Sequence, residues 1–163
     1  MTIPVRRVRA DDWPALRDLR LEALEDTPIA FLETLEAARA AADEVWQARA
    51  ARGSVDGDAF QVMAWEEDRV VGTCVCFLRD EAAWLAAVYV APAYRGQGLV
   101  GRLAQACAEW GREQGMGVLR LEVHEDNGRA QAAYARLGFR DTGERGPYPL
   151  PPYGLEVFME RSL

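Results

Sequence analysis

The stretch Arg95-Gly96-Gln97-Gly98-Leu99-Val100-Gly101 holds glycines spaced to bind a phosphate. Gly96, Gly98 and Gly101 spell G-x-G-x-x-G, the fingerprint of a dinucleotide loop. If a helix begins after Gly98, its first N–H groups are unpaired and carry partial positive charge. A pyrophosphate suits that end. Gly96 and Gly98 allow the backbone to come close, and Arg95 adds a guanidinium suited to phosphate. A dinucleotide fold, however, needs several βαβ units, with the glycines directly behind a strand. Five residues, Ala91 to Arg95, separate the preceding apolar run from Gly96, and only one such unit is evident. Glu122 is a rough match for a ribose-binding acid but falls inside a strand. A Walker A loop is excluded, since no Gly-Lys-Ser/Thr exists.

A second set of candidates lies in the strand reading 118–123. Alternation puts Arg120, Glu122 and His124 on one face and Leu119, Leu121 and Val123 on the other. Polar side chains on a central strand suit proton handling. Imidazole titrates nearest neutral pH, so His124 is the simpler base. A carboxylate such as Glu122 needs burial to reach that range. Glu81 is a third choice, and a water chain to solvent is an alternative. The structural reading of the same residues is an Arg–Glu pair with His124 at a solvated strand end.

These residues require elements to hold them. Ile3 to Val8 alternates as a strand. Asp11, Asp12 and Pro14 open a helix over about 12–25, with Leu16, Leu19, Ala23 and Leu24 at helical spacing. Phe31, Leu32, Leu35 and Ala38 mark a second helical segment, and Asp43 caps a third carrying Val45, Trp46 and Ala50. Residues 60–65 and 70–78 form an antiparallel hairpin around Glu66-Glu67-Asp68. Trp84 to Val90 is a strand buried on both faces. A helix from about Leu99 to Gln114 carries the stripe Leu99, Leu103, Ala106, Cys107 and Trp110. Asn127, the chain's only Asn, opens another helix with Ala130, Ala133, Tyr134 and Leu137 on one face. Gly138 ends it. Phe139 begins a last strand pair that closes with Leu155 to Met159. The whole is a mixed α/β domain over residues 1–163, with one parallel, right-handed unit from Trp84 to Val123.

Composition narrows the classes. The 163 residues are half hydrophobic and 28% charged, which is ordinary for a globular domain. The net charge of −7 argues against nucleic-acid binding. All 19 basic residues are Arg. The three cysteines and one histidine show no metal-ligand spacing, so reduced, buried thiols and no metal are expected. No apolar run is long enough to span a bilayer, and the N-terminus lacks a signal-peptide core. A cytoplasmic protein without membrane attachment is the expectation.

Two blocks carry a family resemblance. VYVAPAYRGQGLVGRLAQAC resembles the central motif of the GNAT superfamily of acetyl-CoA-dependent N-acetyltransferases: a buried strand, a Pro-containing connector, then Arg/Gln-x-x-Gly-x-Gly/Ala at a helix start. NGRAQAAYARLGF resembles the family's other signature through Asn127, Ala130, Tyr134, Gly138 and Phe139. The blocks keep the family's order and separation, and the resemblance extends over most of the chain. One position departs: the last Gly/Ala of the first motif is Val100, which implies a shifted loop.

The resemblance implies a mostly antiparallel sheet with one splayed parallel pair and helices on both faces. The cofactor's arm would enter the splay and pair with Val88, Tyr89 and Val90. A backbone N–H near Val88 or Tyr89 would serve the oxyanion. Its pyrophosphate would rest on residues 95–101, and Asn127 would touch the arm as well as cap its helix. Tyr134, otherwise a core aromatic, matches the family's general acid. A free phenol is a weaker acid than a thiol by about 2 kcal/mol, so full proton transfer needs a tuned site, or else Tyr134 only donates a hydrogen bond. The amine acceptor, a small molecule or a peptide, would bind between Leu21–Leu35 and Arg145–Gly154. Glu22, Glu25, Asp26, Glu33 and Glu36 could receive a cation there or be a solvated helix face. Pro147, Pro149, Pro151 and Pro152 stiffen the second segment around Tyr148 and Tyr153. Direct transfer in a ternary complex is expected. A silent acyl-CoA-binding or interaction module of the same fold is the alternative, and a homodimer is left open.

Overall fold

Backbone pairing joins seven strands into one sheet in the order β1-β2-β3-β4-β5-β7-β6. The computed structural model describes residues 2–163. The strands are β1 (Val5–Arg7), β2 (Ala59–Glu66), β3 (Arg69–Arg79), β4 (Ala82–Val90), β5 (Val118–His124), β6 (Arg140–Pro147) and β7 (Leu155–Ser162). The helices are α1 (Trp13–Asp26), α2 (Leu35–Ala40), α3 (Asp43–Ser54), α4 (Leu99–Glu113) and α5 (Gly128–Arg136). Neighbouring strands are antiparallel except β4 and β5, which run parallel. The mixed sheet with one parallel pair is the architecture expected from the sequence.

Each sheet face buries its own core. On one side α4 and α5 cover Val71, Cys74, Leu85, Leu119 and Leu121, with Leu103 and Cys107 fully enclosed. On the other, α1 and α3 pack Leu19, Leu24 and Trp46 over Met63 and Val70. Cys74, Cys76 and Cys107 are free thiols and buried.

Local chemistry explains several boundaries. Pro14 sits in the first turn of α1, where a missing N–H costs nothing. Asn127 caps α5, its Oδ1 accepting from Ala130 N at 3.3 Å. Gly138 follows that helix at φ +91, the left-handed conformation glycine adopts freely. The region after α1 departs from the expected second helix. Phe31 and Leu32 lie outside any helix, and α2 starts only at Leu35, where Thr34 Oγ1 accepts from Ala37 N at 3.1 Å. The hydroxyl cap moves the start beyond the first residues of the apolar pattern. Asp43 is the first residue of α3 rather than its cap, which is Ala42.

One irregularity in β4 shapes the site. Its ladder to β3 slips where Thr73 and Val75 oppose Tyr89 and Ala86, so β4 holds one extra residue, and Ala87 takes φ 51. The extra residue shifts the alternation. Ala83 and Leu85 face α4 before it, whereas Val88 and Val90 do so after it. The β4–β5 ladder ends at the same level, with Leu85 opposite Leu121. Beyond that point the two parallel strands part.

Candidate active site

The parting of β4 and β5 opens a cleft of about 940 Å³ that reaches both sheet faces. Gly96, Gly98, Leu99, Val100, Asn127 and Tyr134 line one half of it. Arg20, Phe31, Glu122, His124, Tyr148 and Glu156 line the other.

The glycine loop divides into two functions. Gly96 and Gly98 hold φ +74 and +78, and an added Cβ at either would meet nothing within 4 Å. They are glycines for conformation and approach. Gly101 serves packing instead. A Cβ there would lie 3.3 Å from Leu137 Cδ2, so it sets the spacing of α4 against α5. The match to the dinucleotide fingerprint is therefore one of letters only. Gly98 is the N-cap of α4, and the first internal helix bond runs from Arg102 N to Gly98 O at 3.2 Å. The N–H groups of Leu99, Val100 and Gly101 thus precede the helix's own hydrogen bonds. Val100 packs its side chain against the α4 core and keeps its N–H available.

Arg95 takes a different position from the one its type suggests. Its Nε donates to Val90 O at 2.8 Å, and Nη2 donates to Asp26. The guanidinium braces the loop against β4 and α1, and one carboxylate already offsets its charge. Gln97 Nε2 donates to Ala93 O at 3.2 Å, closing the turn.

In β4, Ala91 N donates to Val71 O at 2.9 Å, toward β3. Alternation then turns the amides of Val90 and Val88 to the open side. Tyr89 points its side chain to the other face, its hydroxyl 3.3 Å from Glu22 Oε1. Tyr89 N is correspondingly directed at β3, so of the two oxyanion donors expected here the Val88 amide is the one that faces the cleft.

Tyr134 is 8% exposed and meets Phe139 edge to face, ring centroids 5.8 Å apart. Burial pushes its phenol well above the ordinary value, with Cys74 adding to the effect. Asn127 Nδ2 makes no hydrogen bond to another described residue, while Oδ1 is held by the helix.

His124 departs from the expected solvated strand end. It is 1% exposed, and both ring nitrogens have backbone partners. Nδ1 accepts from Asp126 N at 3.0 Å, and Nε2 lies 2.6 Å from Tyr153 O. A carbonyl only accepts, so the proton sits on Nε2 and the Nδ1 lone pair is occupied. The ring also meets Tyr148 edge to face at 4.9 Å. His124 is placed to anchor the 148–154 loop. Tyr148, from the same loop, donates its hydroxyl to Phe31 O at 2.5 Å and ties the loop to the segment after α1. Tyr153 is 61% exposed and lies outside the cleft wall.

Glu122 faces the cleft but accepts from Arg79 Nη2 at 3.0 Å. Its neighbour Glu156 has no counterpart in the sequence reasoning. β5 and β7 pair His124 with Glu156 and Glu122 with Phe158, which places both carboxyls on one face, diagonally adjacent. Burial first, and the Glu122 charge and hydrogen bond next, push the Glu156 carboxyl up to about 7. Glu81 sits in the exposed turn before β4, away from the cleft.

Of the five acids expected to receive a cation, Glu36 lies outside the cleft wall, and the other four are already paired. Glu22 meets Arg69, Glu25 meets Arg39, Asp26 meets Arg95, and Glu33 meets Arg49 and Arg20. Of these four only Glu33 lines the cleft.

Residues 13–139 match the Acetyltransferase (GNAT) family. The chain belongs to that family. Over 88 residues it is 35% identical to N-alpha-acetyltransferase 30 of Schizosaccharomyces pombe, covering 49% of this chain and 57% of that protein. Over 87 residues it is 31% identical to the [ribosomal protein bS18]-alanine N-acetyltransferase of Haemophilus ducreyi, covering 53% of this chain and 60% of that protein. The chain thus spans less than two thirds of these relatives. In fold it is similar to the PaiA N-acetyltransferase of Thermoplasma acidophilum in complex with coenzyme A. That match has a TM-score of 0.81 at 18% identity and covers 100% of both chains. It is also similar to a GCN5-related N-acetyltransferase of Kribbella flavida, TM-score 0.75 at 25% identity, over 99% of this chain and 98% of that one. Among the described residues no helix is long and apolar enough to cross a membrane.

Proposed function

We propose that this GNAT-family chain moves an acetyl group from acetyl-CoA to an amine in a ternary complex. The observation carrying this reading is that the free N–H groups of α4, the open edge of β4 and the Glu122–Glu156 pair all border one cleft. The fit to coenzyme A rests on the chain's own features. The start of α4, with Gly96 and Gly98 bare of contacts, suits a pyrophosphate. The unpaired amides of Val88 and Val90 suit an amide-bearing arm, and Asn127 Nδ2 has a free donor for it. Curated relatives and a structural neighbour named for N-acetyl transfer and for coenzyme A support the same reading.

Acetyl-CoA supplies the acyl group as a thioester; the amine nitrogen bonds to its carbonyl carbon, the C–S bond breaks, and coenzyme A leaves as a thiol. The Val88 N–H faces the place where negative charge develops on the carbonyl oxygen. Glu156, whose carboxyl is raised by burial and Glu122, takes the proton that the ammonium must lose. Its value near neutrality is what a general base needs. Glu156 thus replaces His124, whose lone pair is occupied, and Glu122, which Arg79 holds. Tyr134 stays protonated through neutral pH and gives a hydrogen bond or a proton to the departing sulfur.

The test is thiol release from acetyl-CoA with a panel of amines, alongside calorimetry of coenzyme A. Transfer to at least one amine is expected. Coenzyme A binding without turnover on any amine would favour a silent binding module. No coenzyme A binding would defeat both readings.

A further inference from the structure

The far wall of the cleft holds a cation whose hydrogen-bonding capacity is unused. Arg20, on α1, lines the cleft with its side chain 21% exposed. It makes no hydrogen bond to a described residue. Its Nε lies 3.6 Å from Glu33 Oε2, an ion contact too long for a hydrogen bond. Glu33 is already gripped by Arg49, through Nη1 at 3.1 Å and Nη2 at 2.8 Å. Two guanidiniums therefore share one carboxylate, and this end of the cleft keeps one positive charge in excess. The Arg20 guanidinium lies 4.6 Å from the Phe31 ring centroid, which fixes its plane against a buried aromatic. Burial pulls it down to about 10, against the pull of Glu33, and it remains charged at neutral pH.

A guanidinium carries five N–H donors and no acceptor. Solvent reaches those of Arg20 through the cleft, and a ligand that displaces this water must supply their partners. The opposite wall carries the Glu122–Glu156 carboxyls. The cleft thus offers carboxyl oxygens at the sheet and an unengaged guanidinium at α1. That arrangement matches a molecule with an ammonium at one end and an oxyanion at the other.

We infer that Arg20 is an oxyanion subsite for the acceptor, and that the acceptor is a small amine carrying a carboxylate or phosphonate-like group. The inference rests on the acetyltransferase reading, which it narrows. The ammonium turns to Glu122 and Glu156, and the oxyanion takes the two-pronged hydrogen bond for which guanidinium is shaped. A neutral peptide N-terminus would leave Arg20 as bare as it is now.

The experiment is calorimetry of the full chain, with and without coenzyme A. The probes are the twenty protein amino acids, their α-amides and matching aminoalkylphosphonates, and thiol release is followed in parallel. At least one amino acid or phosphonate is expected to bind about tenfold or more tighter than its amide, as a charge-assisted contact gives. Which of the two binds better identifies the oxyanion. Arg20→Gln is expected to abolish the difference and Arg20→Lys to restore part of it, with coenzyme A binding as the check on folding. Amides or uncharged peptides that bind as well as every acid in the unaltered protein overturn the inference, whether or not the variants fold. Loss of coenzyme A binding instead strikes the acetyltransferase reading, and the acid-to-amide comparison remains readable without transfer.

Discussion

Glu156 and Glu122 share one face of the β5–β7 ladder, and the Glu122 charge helps hold the Glu156 carboxyl up at about 7. The Glu156 carboxyl is the one expected to gate activity. kcat/KM should rise as pH passes through about 7 and level above it. Glu156→Gln should lower kcat by about 10²-fold and remove that rise, as loss of a general base does. pH–rate profiles for acceptors of different basicity check this. An inflection that follows the acceptor and survives the substitution assigns the proton transfer elsewhere.

The same shift affects folding with the opposite sense. A carboxyl raised above its ordinary 4.5 binds its proton more tightly in the folded chain than in the unfolded one. Its contribution to stability is complete below about 4.5 and disappears as pH climbs to about 7. Glu156→Gln should therefore narrow the gap between the midpoints of thermal unfolding at pH 5 and pH 8. An unchanged gap would show that solvent screens the carboxyl fully.

Tyr134→Phe removes a hydroxyl from a buried position and leaves the contact with Phe139. Turnover should fall by about 10²-fold while coenzyme A affinity stays within a few-fold, since only the departing sulfur loses its donor. Thiol release and calorimetry separate the two quantities. Unaltered turnover would remove the acid assignment.

The glycines of the loop should respond differently. Gly98→Ala forces a side chain into φ +78 and should cost about 1–2 kcal/mol. Gly101→Ala stays within ordinary helical backbone, and its new Cβ needs only a small retreat by Leu137. Alanine's better helix propensity offsets that retreat, so the net change should be under about 1 kcal/mol. Denaturant unfolding compares the two. Equal losses would place Gly101 in the same conformational role as Gly98.

Tyr148→Phe leaves the Phe31 carbonyl without its donor in a buried position. Stability should fall by about 1–3 kcal/mol. The KM for the acceptor should rise more than that for acetyl-CoA, because the lost bond joins the two segments over the half of the cleft proposed for the acceptor. Steady-state kinetics with each substrate varied in turn would show it.

Much of the frame was legible because it is written locally. Asn127, Gly138 and Pro14 act on their own turn, and the apolar runs of β4 and α4 set their own faces. The proposed base was not legible. Glu156 meets Glu122 only through the β5–β7 register, which joins residues more than thirty positions apart and leaves no trace in either strand's pattern. His124 looked like a strand end because Tyr153 O and Asp126 N, its partners, come from loops. Arg95 looked free because Asp26, which offsets it, ends a helix far back in the chain. The acids of α1 and the segment after it likewise found arginines from several different elements, which left the α1 side of the cleft with the guanidinium of Arg20 instead of unpaired carboxylates.

The extra residue at Ala87 lies just past the last β4–β5 pair, so its deletion is expected to let the sheet zip shut. Without it, β4 would run in register along β3, and β5 could follow it past Leu121 like the teeth of a closed fastener. A chain lacking Ala87 is expected to fold with greater thermal stability and to lose all uptake of coenzyme A, which calorimetry and thermal unfolding would record together. The opening is thus bought with one misfit amino acid rather than with any reactive group.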